Sequence, residues 1–292
     1  MEYTIQNDDL TVTVNQTGME LSSIRSVKNG IEYLWQGNPE IWGSQAPVLF
    51  PVIGALKNGR YIFDGKSYEM PKHGFIRDND KIKVVEYSDN SILLSFSSSE
   101  ESFRIYPFSF RFMVRFSLFD DTLITEHLII NTGDRPLYYS TGGHPAFNCP
   151  LRKGEKYEDY FIRFEKPETL STCRLNSEGL ISGKQELILN DTDELLLHDD
   201  LFNRDALIFK DPVSNKVSLI NRTAGPVLTM SFKDFPSLGI WAKPGAPYIC
   251  LEPWAGIADH QDTDQQLTNK EGILKLDAGS EISHVYRVVF YL

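Results

Sequence analysis

Apolar and polar positions alternate along most of the chain. The segments LTVTVN (10–15), IEYLWQ (31–36), KIKVVEY (81–87) and SILLSFSS (91–98) repeat with a period of two. They are rich in β-branched and aromatic residues and bounded by Asp, Asn and Gly, which predicts short strands. The strongest pair is RFMVRFSLFDDTLITEHLIIN (111–131). Phe112, Val114, Phe116 and Leu118 alternate along its first strand, Asp120-Asp121 makes a tight turn, and Leu123 to Ile130 alternate on the return.

The pattern continues in DYFIRFE, QELILN, DALIFKD, NKVSLIN, PVLTMSF, LGIWAKP, YICLEPW and SHVYRVVFYL. Turn signals recur about every ten residues, as in sandwiches and barrels. No stretch carries a helical stripe capped at both ends; DTDELLLHDDLF (191–202) is the one candidate for a short helix or turn. Without a linker, a low-complexity tract or a repeat, residues 1–292 read as one large antiparallel β domain of roughly 15–20 strands. Two sandwiches in tandem are the alternative.

Composition narrows the function classes. The 292 residues are 41% hydrophobic and 24% charged, as in a folded protein, and 12% aromatic. Aromatic rings favour pleated surfaces and also stack on sugars and bases. The 40 acidic and 29 basic residues leave a net charge of −11, which disfavours nucleic acid and anionic membrane surfaces as partners. The start, MEYTIQNDDL, lacks a basic and an apolar region of the secretory kind, and no apolar run is long enough to span a membrane. Three scattered cysteines, Cys149, Cys173 and Cys250, suggest free thiols in a reducing compartment. The expectation is a cytoplasmic protein, a monomer or homodimer.

Several common sites are missing. There is no G-x-G-x-x-G, no G-x-x-x-x-G-K-[ST], no G-x-S-x-G and no CxxC, which removes the usual nucleotide cradles, serine nucleophile and zinc clusters. ADHQDTDQQLTNKE (258–271) resembles a calcium loop but lacks the central glycine that such a loop needs for its sharp turn. Neither a metal nor a cofactor is expected.

Four stretches interrupt the alternation with polar groups in unusual company. GALKNGRY (54–61) closes on Arg60, PKHGFIRD (71–78) holds His73 and Arg77, STGGHPAFNCP (140–150) holds His144, and YICLEPWAGIAD (248–259) holds Glu252 before Pro253 and Trp254. A carboxylate in that apolar company would be partly desolvated, which raises its pKa and suits it to accept a proton near neutrality. The alternative is a strand-end glutamate paired with an arginine. His73 and His144 sit beside glycines that permit close backbone approach. Each is a proton carrier near pH 7 or, alternatively, a hydrogen-bonded turn histidine. His127 lies mid-strand and reads as packed or surface; His198, His260 and His284 have no supporting context.

Two histidines, one carboxylate, an arginine and aromatic rings could bind a neutral polyhydroxyl ligand and move protons at its oxygens. They could also form a glycosidase site, but that needs two carboxylates flanking one bond. Beside Glu252, only Asp205 and Asp234 are offered, both with weaker context.

At these residues the chain resembles the aldose 1-epimerase (mutarotase) family, in particular its LacX-like branch. GGHPAFNCP resembles the branch's second-histidine motif, PKHGFIRD the first, KNGRY the arginine turn and ICLEPWAGIAD the glutamate segment, in the family's order along the chain. The resemblance implies an all-β galactose mutarotase-like fold, a large antiparallel β-sandwich. It also implies cofactor-free interconversion of the α and β anomers of an aldohexose. Glu252 would take the C1 hydroxyl proton, His144 would protonate the ring oxygen, and His73 would stabilise charge there. Arg60, Asp205, Arg77 and Trp254 would bind the sugar.

Galactose mutarotases carry Leu-His-Gly-Gly and Asn-His-x-Tyr-Phe where this chain has Lys72-His73-Gly74-Phe75 and Gly143-His144-Pro145-Ala146-Phe147. The pocket lining therefore differs, and galactose does not follow as the substrate. HGFIR is also similar to the hexose-6-phosphate mutarotase branch, whose arginines grip a phosphate; Arg77, with Lys72 or Lys243, would do so here. A non-catalytic sugar-binding or sensing protein is the remaining alternative.

Overall fold

The computed structural model describes residues 1–292 and is built almost entirely of antiparallel strands. The larger sheet has nine strands, in the order Ile181–Leu196, Tyr160–Leu175, Lys216–Asn221, Gly225–Ser231, Glu281–Phe290, Thr122–Asn131, Phe110–Phe119, Ser91–Ser97 and Lys83–Tyr87. The second large sheet runs Leu207–Lys210, Ser237–Trp241, Tyr248–Ala255, Thr141–Gly143 and Val48–Leu49, with Ala146–Asn148 also paired to Tyr248–Ala255. A three-stranded sheet, Glu2–Gln6, Leu10–Asn15 and Glu20–Ser26, and two small two-stranded pairs complete the fold.

The alternation read from the sequence is the burial pattern of the strands. Along Thr122–Asn131, buried and half-buried positions alternate without a break, as period-two geometry requires of a sheet with one face on the core. Both large sheets contribute to one apolar cluster of 68 buried residues that spans from Ile5 to Phe290. Phe50 stacks on Phe112 at 4.3 Å between centroids, and Tyr106, Phe108 and Phe110 pack around them. The structure is thus a large antiparallel β-sandwich, as the strand pattern predicts. No helix is long and apolar enough to cross a membrane.

The strand count, 22, exceeds the expected range because several strands have only two or three residues, too short to show a period. Residues 31–36 do not form the expected strand and make only isolated bridges at Glu32 and Leu34. The reason is local: the Glu32 carboxylate accepts from the backbone N–H groups of Ile24 and Leu34, so a side chain replaces the ladder. The segment 191–202 is not a helix. Its first half extends the strand Ile181–Leu196, through irregular register against Tyr160–Leu175, and its second half is a turn. The only α-helix is the single turn Glu100–Phe103, capped by Ser99.

Candidate active site

One central strand carries the site. All eight residues of Tyr248–Ala255 are buried, because strands pair on both its edges and side chains cover both its faces. On one edge, Ala146 pairs with Cys250 and, further along, Gly142 pairs with Trp254. The two stretches share one register, and continuing it through the gap sets His144 directly opposite Glu252. The His144 Nε2 and Glu252 Oε2 atoms lie 3.2 Å apart, although they are not aligned as a hydrogen bond.

Gly142 and Gly143 have ordinary strand backbone and serve the close approach their sequence allowed. A Cβ on Gly142 would stand 2.7 Å from the Pro253 carbonyl oxygen, and one on Gly143 would stand 2.7 Å from the Tyr286 hydroxyl. On the other edge Gly239 pairs with Glu252 and leaves room for the Trp254 ring. Beneath this strand, Thr141 Oγ1 lies 2.8 Å from Nδ1 of the fully buried His127, which accounts for the mid-strand histidine as a packed one.

His73 arrives from a strained turn. Its φ is 68°, and the next residue, Gly74, is pressed so close to the Phe50 carbonyl that no side chain fits. His73 Nδ1 accepts from the Gly54 N–H at 3.2 Å. That fixes the tautomer, leaving Nε2–H as the ring's donor. The His73 and His144 rings meet edge to face, 5.7 Å between centroids.

The cavity over these groups holds about 250 Å³ and is lined by His73, His144, Glu252, Lys72, Arg77, Asp205, Trp254, Trp42 and Trp241, among others. It opens past Asp205 and Trp241 into a wider cleft of about 940 Å³ that includes Arg174, Asn176 and Asn203.

Six of the seven residues singled out in the sequence therefore share one cavity. Arg60 does not. It is exposed at the start of the hairpin strand Arg60–Phe63, paired with Glu69, and its side chain is absent from the lining. The left-handed Asn58 and Gly59 of the preceding turn lead it into that hairpin. Arg77, held to Ser44 Oγ at 3.0 Å, supplies the cavity's guanidinium. Trp254 is a buried wall, 5% exposed, rather than an open platform. The aromatic faces are Trp42, stacked on His144 at 5.1 Å, and Trp241, edge-on to it at 5.9 Å. Sequence reasoning passed over both; the only signal was an isolated Trp within NPEIWGSQ and another just before AKP. Asp234 lies elsewhere, its carboxylate accepting from the Val285 N–H.

Burial sets the electrostatics. Glu252, 1% exposed, is pushed well above the usual carboxyl value of 4.5 by desolvation; Lys72 and the nearby Trp254 side chain lower it and Asp205 raises it. Desolvation pushes His144 down to about 3, with smaller contributions from Arg77 and Lys72 in the same direction. Of the two groups, burial therefore favours Glu252 over His144 as the holder of a shared proton.

A stability consequence follows. His127 and His144 are depressed to about 3, and His73 and His284 also lie below 6.5, all chiefly by burial. Below pH 6.5 the unfolded chain takes up protons that the folded chain refuses. Folding stability should fall with pH in that window by about 1.4 kcal/mol per pH unit for each such histidine. Thermal unfolding followed from pH 7 to about pH 5 checks this; a flat midpoint would refute it.

The family model for aldose 1-epimerases matches residues 1–274. The chain belongs to the aldose 1-epimerase family. It is 34% identical over 287 residues to the plasmid-encoded protein LacX of Lactococcus lactis subsp. lactis, covering 94% of this chain and 95% of that one. The chromosomal LacX of the same organism matches to the same extent. Among solved structures, a galactose mutarotase related enzyme from Lactobacillus acidophilus superposes with a TM-score of 0.94 at 34% identity, covering 100% of this chain and 98% of that one. A galactose mutarotase-like protein from Lactobacillus casei gives 0.93 at 27% identity, with 100% of both chains covered. As an aldose 1-epimerase family member, the chain has the galactose mutarotase-like fold, and the family implies a sugar substrate.

Proposed function

We propose that this protein interconverts the α and β anomers of a free aldohexose by acid–base ring opening and reclosure. The observation that carries the reading is the register that sets His144 opposite Glu252 in a cavity of about 250 Å³, a space of monosaccharide size. Glu252 accepts the proton of the C1 hydroxyl while His144 gives one to the ring oxygen. The C1–O5 bond breaks, leaving an aldehyde and a C5 hydroxyl. Rotation about C1–C2 presents the other carbonyl face; O5 attacks it, its proton returns to His144, and Glu252 reprotonates O1. The pair carries a single proton throughout and is neutral overall, which suits a desolvated site. Burial, which favours the proton on Glu252 over His144, favours the arrangement that ring opening produces. A charged Lys72 nearby favours the ionised carboxylate that ring opening requires at its start.

His73 donates from Nε2 toward the ring oxygen, Trp42 and Trp241 offer aromatic faces to the sugar, and Asp205 and Arg77 bind hydroxyls. His73→Asn is the informative variant there, because Asn tolerates a left-handed backbone. Its kcat should fall about 10²-fold, the scale of losing one preorganised donor, with the melting temperature little changed.

Lys72 and Arg77 in the cavity wall also favour a second reading, a hexose phosphate as substrate. Magnetisation exchange between anomer signals, measured by NMR on free and phosphorylated hexoses, decides between the two. Exchange no faster than in buffer with every sugar, together with saturable sugar binding, would leave a non-catalytic binder and overturn the proposal.

A further inference from the structure

We propose that the floor of the cavity is also a binding site for a soft divalent cation of the Zn²⁺ or Cd²⁺ type, held by His144 Nε2, the Cys250 thiolate and a Glu252 oxygen. Cys250 and Glu252 stand two residues apart on the strand Tyr248–Ala255, so the pleat aims both side chains to the same side. The strand register brings His144 to them from the neighbouring strand. The three donor atoms lie within 4.8 Å of one another. The Nε2–Oε2 separation of 3.2 Å is close to the edge of a tetrahedron with zinc bonds of about 2.0–2.2 Å to N and O. The Cys250 sulfur, within 4.8 Å of the other two donors, has to move closer to complete the third corner.

Two further observations point to an occupant. Glu252 Oε2 is buried without an aligned hydrogen bond, the Trp254 side chain acting on the carboxyl while its own Nε1 also stays unpaired; an unsatisfied buried oxygen costs free energy unless something else satisfies it. The His144 ring is stacked under Trp42 at 5.1 Å, and its buried Nδ1 also lacks a hydrogen-bond partner. The mixed S, N and O donor set suits zinc or cadmium rather than magnesium or calcium. His144 and Glu252 line the cavity while Cys250 lies fully buried behind them, so water or a sugar hydroxyl would enter as fourth ligand from the cavity side.

Binding displaces the Cys250 thiol proton to solvent, and Glu252 binds as the carboxylate. No redox step is involved. The metal occupies both proton-transfer groups, so it acts as an inhibitor competitive with sugar; this last consequence rests on the function proposed above, whereas the binding itself does not.

Titration of the whole apoprotein with Cd²⁺ alone tests the site, read by the sulfur-to-cadmium absorption band in the ultraviolet and by calorimetry. One equivalent should bind with the band present. In Cys250→Ser and Cys250→Ala the band should vanish and affinity should drop at least tenfold, with folding checked by thermal unfolding. Glu252→Gln should weaken binding while keeping the band. Absence of a band in the wild type, or its persistence in both Cys250 variants, overturns the proposal, since the signal would then come from Cys149 or Cys173. Where anomer exchange is measurable, Zn²⁺ should suppress it, a chelator should restore it, and Cys250→Ser should need at least tenfold more metal. Undiminished exchange with the metal bound would overturn the inhibitory role. A wild type that exchanges no anomers but binds Cd²⁺ through Cys250 would refute the function alone.

Discussion

Glu252→Gln is expected to lose anomer exchange and to gain thermal stability in the same protein. The loss follows from the role of the carboxylate as proton acceptor, worth roughly 10²–10⁴ in rate; Gln keeps the shape but accepts no proton. The gain follows from linkage. Burial holds the Glu252 carboxyl well above its usual 4.5, so between that value and the raised one the folded state keeps a proton the unfolded state has released. Stability is therefore lost as pH rises through this window. Gln does not ionise, so the variant avoids the cost, and its advantage should be small near pH 5 and larger near pH 8. Melting temperatures at the two pH values, beside anomer exchange rates, measure both effects. A variant with full activity would remove Glu252 from the chemistry, and one less stable than wild type at pH 8 would contradict the desolvation account.

Lys270→Met should be the most destabilising substitution near the site, although Lys270 touches no substrate. Lys270 and Asp259 form a buried ion pair, Nζ to Oδ1 2.9 Å, with both side chains 4% exposed. Nζ also donates to the Ile257 carbonyl at 2.7 Å, and the Asp259 carboxylate accepts from the Lys57 N–H at 3.0 Å. Asp259 further ties its backbone to Ala55 and Ile181. Ala258, packed against Gly54, and Gly54, bonded to His73, carry the arrangement to the cavity. Removing the ammonium strands a carboxylate in the interior, at a cost of about 3–5 kcal/mol. Replacing both partners by apolar residues, as in Asp259→Leu with Lys270→Met, should recover much of that loss. Chemical denaturation of the two single variants and the double variant measures the coupling. Near-additive losses would show that the pair is not the fastening it resembles.

Much of the fold was legible because sheet burial writes itself into sequence with a period of two. Thr122–Asn131 is the clearest case. The reading failed where a side chain took over backbone hydrogen bonding, as Glu32 does, and where strands of two or three residues were too short to carry a period. Within the site, Glu252, His144 and His73 stood out because each breaks its local pattern. Trp42 and Trp241 did not, since a tryptophan in a strand-rich chain is ordinarily core. A turn motif does not reveal which way its hairpin leads, and Arg60 lies outside the cavity that Arg77 lines.

The sequence by itself determined the all-β class, the absence of the common cofactor motifs and the identity of the proton-transfer candidates, because these are properties of local pattern and residue chemistry. Only the tertiary structure decided that Glu252 faces His144, that Gly142 packs on Pro253 and Gly143 on Tyr286, and that the Cys250 sulfur lies within 4.8 Å of the pair. These depend on the register between strands distant in the chain. Burial, set by every element that packs around that register, then shifts the carboxyl upward and the imidazole downward.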